Sequence, residues 1–543
     1  METKPLKVVY IGDGPTHTGS DGLVSEWVTG FAQVSKQLCG GLHERGFDVH
    51  LLALNYTGDP HNLPFKIYCP SSVQRDLYGI TRALELCRVL KPDVVFINND
   101  LWICEAHAKH LTRLGDEMPA LVCYVPCDAE GHRPAHVAWL HRTHELLGRA
   151  FRIIPYTHFG KSQWQKAGYW RTSTPIGHGL DPVYKERGRR LSPPELLELA
   201  GGPIPVPTPY TWEDIRKEKI DARIEFGQGG IGPETFVVVN NDRNSARKRL
   251  DILVDAFCRF AKMVKEKEGF LGGPTKDEWA AYQVEVEAYQ QDAKRWNEEL
   301  ADAKVELEPK VEEVKARWKE SVSEVLGEGF GVNVELGNVF HPRMRPAPQP
   351  PATPEWERDP LVKLWLHTNL TEHYDLPDLL KQKFAEYGIT EEEGEAITLF
   401  TDVDGAGYTA ITTEQMRRVY LASDCYVKVA PEGWGLGPFE AAACGCYNIL
   451  PKNTIHEELW SGHADFVNCP VEMWGVPGMM LSKIPMAEDV TKAMFTAWQY
   501  RHVHMPEEAA FRYVMSERFD WGRLVDRFVG EIEGAAAGRK KEG

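Results

Sequence analysis

The sequence predicts an α/β protein of two domains, and two observations carry that prediction. Twice the chain runs from a short apolar strand through a polar or glycine-rich turn into a helix with apolar residues on one face, at residues 236–257 and again at 425–446. The 543 residues, 43% of them hydrophobic, also exceed one domain and supply enough apolar side chains for two cores.

Taken in order, residues 6–11 read as the first strand. Gly12-Asp13-Gly14 follows it as a dinucleotide-binding turn would, but His17 stands where a third glycine belongs. The strand at 49–54 ends at Asn55 and not at an acidic residue, so no nicotinamide cofactor is expected. Val28-Thr29-Gly30-Phe31-Ala32 opens a helix carrying Val34 and Leu38. Strands at 94–97 and 121–125 end in Asn98-Asn99-Asp100 and in Cys127-Asp128. Ligands of open α/β sheets bind beyond the carboxyl ends of strands, which directs these polar residues to a cleft. Segments 159–168 and 175–181 complete this half, 185–190 is basic, and 193–209 is proline-rich, as a linker would be.

The second half starts with the β-branched strand 236–240, the turn Asn241 to Lys248, and a helix with Leu250, Leu253, Val254 and Phe257 at helical spacing. Thr275 and Glu278 then form a capping box. Beyond it Trp279, Tyr282, Val286, Tyr289, Ala293, Trp296, Leu300, Ala303 and Leu307 keep alternating steps of three and four to Pro309. A second amphipathic run carries Val311, Val314, Trp318, Val322 and Val325, so an antiparallel helical hairpin is expected over 275–327, its seam formed by the two helices. A dimerisation arm or a clamp over the acceptor is the sharper alternative. The proline-rich 342–354 returns the chain to strands at 363–367 and 397–400, a helix at 416–422 and the strand-like 425–430. After Phe519-Asp520-Trp521 a last amphipathic helix carries Leu524, Val525 and Phe528.

The most informative turn is 430–446, where Glu432 and Glu440 flank Gly433-Trp434-Gly435-Leu436. A helix starting there points unpaired N–H groups and its positive dipole end at the turn, which favours phosphate oxygens. Two carboxylates cannot hold a phosphate, but acceptor-only groups suit hydroxyls. A ligand with both phosphates and hydroxyls is a nucleotide sugar.

On these residues the chain resembles the retaining glycosyltransferases of family four, which have the GT-B fold. The resemblance implies that Glu432 contacts the transferred sugar, that Gly433, Trp434, Gly435 and Leu436 approach sugar and diphosphate, and that Glu440 holds the ribose. The family places an Arg, and a Lys five residues on, at the earlier turn; Arg243 and Lys248 fit and would neutralise the leaving diphosphate. Arg247 and Arg249 fit a solvated basic turn better. Gly30 stands where relatives carry two glycines, and the loop from Thr401 to Asp404 where relatives bind the base. Relatives also carry a histidine after the strand at 121–125; here Asp128 or His132 would take that place, with Asp100 on the acceptor side. His178 and Asp181 are expected to be structural.

The resemblance implies a GT-B arrangement of two Rossmann-like domains facing a cleft: residues 1–185 as the acceptor domain, completed by a C-terminal helix near 507–535, 186–222 as linker or insertion, and 223–506 as the donor domain with the hairpin inside it. It implies metal-independent transfer of a hexosyl or pentosyl group with retention, from a nucleoside-diphosphate sugar of unspecified base, with no bound cofactor. Glu432 would orient the sugar and not act as the nucleophile used by retaining glycosidases. The acceptor stays open between the family's usual small, lipid-linked or polysaccharide molecules and a hydroxylated base in DNA, as in some phage enzymes of this fold. The insertion, the basic 185–190 and 16 tryptophans keep the DNA alternative open, while a net charge of −17 pulls the other way. A non-catalytic nucleotide-sugar-binding protein, or a phosphorylase or epimerase, is the rival of another class. The odd count of eleven cysteines shows no metal spacing, Cys444 and Cys446 do not form CxxC, and His141, His144 and Glu145 are not in zincin order. With no run of eighteen apolar residues and no signal-peptide pattern, the expectation is a soluble cytoplasmic protein, in host cytoplasm if viral, with reduced thiols. A homodimer through the insertion is one assembly its seam allows.

Overall fold

A computed structural model of the chain describes residues 4–18, 24–26, 30–56, 58, 61–70, 76–185, 210–226, 230–272, separate positions between 284 and 299, 359–401, 412–475 and 480–542. After β1 (Lys7–Gly12), an antiparallel ribbon of β2 (Thr16–Thr18) and β3 (Val24–Glu26) precedes β4 (Asp48–Ala53), β5 (Lys66–Tyr68), β6 (Val94–Asn98), β7 (Ala120–Val125) and β8 (Phe151–Pro155). Apart from the ribbon these form one parallel sheet in the order β5-β4-β1-β6-β7-β8. The second sheet repeats the pattern with β9 (Phe236–Asn240), β10 (Val362–His367), β11 (Thr398–Thr401), β12 (Cys425–Val427), β13 (Tyr447–Pro451) and β14 (Asp465–Val467), in the order β11-β10-β9-β12-β13-β14. A hairpin of β15 (Val471–Gly475) and β16 (Met480–Ile484) follows.

The central strands are apolar without alternation, and Val8 to Ile11, Val94 to Ile97 and Val237 to Val239 are all fully buried, as strands covered by helices on both faces must be. In each sheet the strand order reverses beside the first strand, β1 or β9, and polar residues follow the strand ends there. Helix Leu250–Glu268 buries Leu253, Phe257, Phe260 and Val264 at steps of three and four, then stops at Gly269, whose φ of 83° is the left-handed conformation of a C-cap.

Two expectations change. The single C-terminal helix near 507–535 is two helices, Met505–Val514 and Trp521–Glu542, because Asp520 accepts the Arg523 N–H at 3.0 Å and caps a new start. The second helix crosses onto the first sheet. Its Phe528 ring lies 5.9 Å from Phe96 and 4.9 Å from Tyr124, and a Cβ on Gly41 would lie 2.6 Å from Val525. The stretch read as linker contains helix Trp212–Phe226, which buries Ile215 against the second domain while its Glu218 pairs with Arg417. Of the predicted hairpin, the described positions between 284 and 299 are helical, and the remainder lies outside the described residues. The chain before and after residues 273–358, which include that hairpin, meets: the Leu361 N–H donates to the Leu271 carbonyl at 2.8 Å, and a Cβ on Gly272 would lie 2.3 Å from the Asp359 carbonyl oxygen. All eleven cysteines are free thiols. Among the described residues no helix is long and apolar enough to cross a membrane.

Candidate active site

Because β9 and β12 are neighbours, the turns that follow them lie side by side and bring four buried charges together. Lys428, at the end of β12, places its Nζ 2.6 and 2.8 Å from the two Asp242 oxygens and 2.8 Å from Glu432 Oε1. Lys248 bonds Asp242 Oδ1 at 2.9 Å and also Glu432 Oε1. Arg247 Nη1 adds a third cation 4.0 Å from Glu432 Oε2, and it reaches across to the first domain, where Asp128 accepts at 2.9 Å. Burial alone would raise the carboxyls of Asp242 and Glu432, but Lys248 and Lys428 outweigh it and hold both below the ordinary carboxylate range. Glu440 is the opposite case. Burial pushes its carboxyl up to about 7, against the hydrogen bond from the Tyr420 hydroxyl at 3.1 Å and with a further push from Asp181.

The turn itself needs its glycines. Gly435 has a φ of 75° at the start of helix Leu436–Ala443. Gly433 lies so close to the first domain that a Cβ would come within 2.6 Å of Pro126. Gly30, at the start of helix Gly30–Glu44, faces Leu436, whose Cδ1 would be 3.6 Å from a Cβ there. Two helix starts from different domains therefore converge, and their N–H groups and dipoles favour an anion between them. Thr454 adopts a φ of 42°, unusual for a β-branched residue, while its hydroxyl donates to the Glu432 carbonyl at 3.3 Å.

Other predicted residues lie elsewhere or serve differently. Arg243 is not brought to Glu432; its guanidinium is mostly exposed and binds Glu372, at 2.7 and 3.0 Å from Nε. Arg247, read from the sequence as a solvated turn residue, occupies the position beside Glu432. The Trp434 indole is buried between domains, where a Cβ on Gly177 would lie 2.1 Å from it; its ring stacks on Phe439 at 5.4 Å and meets His178 edge-on at 5.1 Å. His132 stacks on Trp164 at 3.5 Å, and burial lowers its pKa to about 3, so it is a neutral packing group. His178, also held neutral near 3 by burial, bonds the Tyr124 hydroxyl at 2.9 Å, and Asp181 accepts from Gln37 at 2.9 Å. The Thr401 hydroxyl accepts from Trp365 Nε1 at 2.6 Å, and the loop after it lies outside the described residues. Asp100 is exposed ahead of helix Leu101–Leu111, with Asp128 and Arg247 near enough to act on its charge. Lys428 and Asp242 were not found from the sequence, although a lysine inside the apolar run 425–430 was the available signal, since a fully buried lysine is rare without a partner.

Further contacts join the domains around this site. Glu130 pairs with Leu481 as an isolated antiparallel bridge, 2.9 Å in both directions, and with Lys483 at 2.9 Å. Glu458 accepts the first N–H groups of helix His158–Lys166, from His158 at 2.9 Å and Phe159 at 2.6 Å.

Two parallel six-stranded sheets, each with helices on both faces and each turning its switch point to the other, are the GT-B fold, the architecture of many glycosyltransferases. Solved structures agree. A glycosyltransferase from Rickettsia africae ESF-5 matches with a TM-score of 0.51 at 9% identity, covering 98% of this chain and 99% of that one. WaaG, a glycosyltransferase involved in lipopolysaccharide biosynthesis, matches at 0.51 and 11% identity, with 97% and 99% covered. An α,α-trehalose-phosphate synthase (UDP-forming) from Burkholderia vietnamiensis matches at 0.51 and 11% identity, with 99% and 98% covered. At these identities the likeness is one of fold. No family model and no curated protein matches the sequence.

Proposed function

We propose that the protein is a glycosyltransferase that moves a sugar from a nucleoside-diphosphate sugar to an acceptor hydroxyl with retention of configuration. The observation that carries this reading is Glu432, a carboxylate kept ionised among Lys248, Lys428 and Arg247 where the two domains meet, beside two converging helix starts. An ionised carboxylate accepts only, so it orients sugar hydroxyls. Lys248, Arg247 and the helix starts supply positive charge for the leaving diphosphate, so the transfer is proposed to be independent of a metal. Glu440 is assigned to the ribose hydroxyls. In the reaction the bond from the anomeric carbon to phosphate oxygen breaks, the bond to the acceptor oxygen forms on the same face, and the acceptor's proton passes to the departing diphosphate.

For the acceptor, a neutral polyhydroxyl compound fits best. Tyr78 and Trp102 form an exposed edge-to-face pair, ring centroids 4.8 Å apart, and Asp100 lies two residues before Trp102 in the chain. Aromatic faces beside carboxylates suit a sugar's apolar face and hydroxyls, whereas Asp100 and Asp128 would repel a phosphodiester backbone.

A thermal-shift screen of uridine, guanosine, adenosine and cytidine diphosphates and their sugar conjugates tests the reading. One nucleotide should raise the melting temperature, and Lys248→Ala should abolish the rise. Glu432→Ala should keep nucleotide binding and lose transfer. Absence of any shift at millimolar nucleotide would overturn the donor assignment.

A further inference from the structure

We propose that Lys428 is a positioning residue for Glu432, holding it together with Asp242 so that Lys248 is free to leave both carboxylates and turn to the donor's diphosphate. The inference rests on the donor reading above. Lys428 hydrogen-bonds both Asp242 oxygens, at 2.6 and 2.8 Å, and its ammonium pairs with Glu432 Oε1 at 2.8 Å. With its side chain 2% exposed, it is closed off from a ligand. Lys248 touches the same two carboxylates, yet its side chain is 12% exposed and it sits on the turn that enters helix Leu250–Glu268. Of the two lysines, Lys428 is the more enclosed and Lys248 the less.

The formal charges explain why both are needed. Two ammoniums and two carboxylates sum to zero. If Lys428 were apolar, Lys248 would be the only cation between two buried carboxylates, and its withdrawal would leave both uncompensated, which is strongly unfavourable. With Lys428 in place an ammonium stays on both when Lys248 leaves. The other groups facing Glu432 do not change this balance. Arg247 is matched by Asp128. His456, held neutral near 3 by burial and by Lys428, and Tyr426, its phenol pushed up by burial, carry no charge near neutral pH.

The test uses the full chain as wild type, as Lys428→Met and as the double variant Lys428→Met with Asp242→Asn, in which the charge left behind by Lys248 again equals that in wild type. Titration calorimetry with the nucleoside diphosphate that stabilises wild type should show binding weakened about tenfold or more in Lys428→Met and recovered in the double variant. Without ligand, Lys428→Met should lose stability relative to wild type as pH rises from about 5 to about 8, because an uncompensated buried carboxyl must ionise, and the second substitution should restore the profile. A packing role would leave the double variant at least as impaired as the single one, and that result overturns the proposal, as does wild-type binding by Lys428→Met. Should wild type bind no nucleotide, the donor reading fails, and the pH profiles still decide the charge balance. Should Lys428→Met not fold, a folded double variant supports the proposal and an unfolded one overturns it.

Discussion

At the scale of single residues the two signature glutamates lie in opposite electrostatic environments. Glu432 is held low by its cations, while Glu440 is pushed up to about 7, chiefly by burial. For Glu440 the folded state favours the protonated form, so its contribution to stability is complete below the unfolded value of about 4.3 and is lost as pH rises through about 7. Glu440→Gln should therefore match wild type near pH 4 and exceed it by on the order of 2 kcal/mol near pH 8, measured by denaturant unfolding at both pH values. The signature was legible because its parts are local: glycines, an apolar strand and two acids within one turn. The partners of Glu432 were not. Which of Arg243 and Arg247 points inward depends on the short turn Ala246–Lys248 and on Arg249, whose φ of 52° is left-handed, and no spacing rule specifies that rotation. The pairing of Lys428 with Asp242 required knowing that β9 and β12 are adjacent.

At the scale of elements, most strands appear where runs of β-branched residues and their bounding turns place them, because parallel strands buried on both faces leave an uninterrupted apolar signal. Helix ends were harder. The break between Met505–Val514 and Trp521–Glu542 rests on the cap at Asp520, and an apolar pattern that resumes beyond the break hides it. The last helix is a structural part of the first domain, since Phe528 is fully buried between its aromatic rings. Phe528→Ala should cost about 3–5 kcal/mol of unfolding free energy, read from the loss of first-domain signal in a denaturant titration. A solvent-exposed change on the same helix, such as Arg523→Ala, should stay near wild type.

For the whole molecule, several of the contacts between the domains are made by loops around the site. Trp434 over Gly177, the Glu130 to Leu481 bridge and the Glu458 cap all lie around the rim of the site. Gly177→Ala would force a methyl into the indole without reshaping either domain's core. It should raise the radius of gyration in X-ray scattering and lower the stability of the closed form by about 1–3 kcal/mol. Two domains were evident from length and from the repeated strand-to-helix turns, but their interface was not, because residues such as Gly177 and Trp434 are far apart in sequence and carry no shared pattern.

The meeting of Leu271–Gly272 with Asp359–Leu361 gives the chain a modular construction. A segment that leaves and re-enters a domain at one point behaves as a cassette, since closing the gap with a short flexible loop costs little chain entropy. Replacing residues 273–358 by a few glycines and serines should give a folded protein that still answers the nucleotide screen. Comparing the acceptors used by the full and the shortened chain would test whether the segment takes part in the proposed acceptor choice.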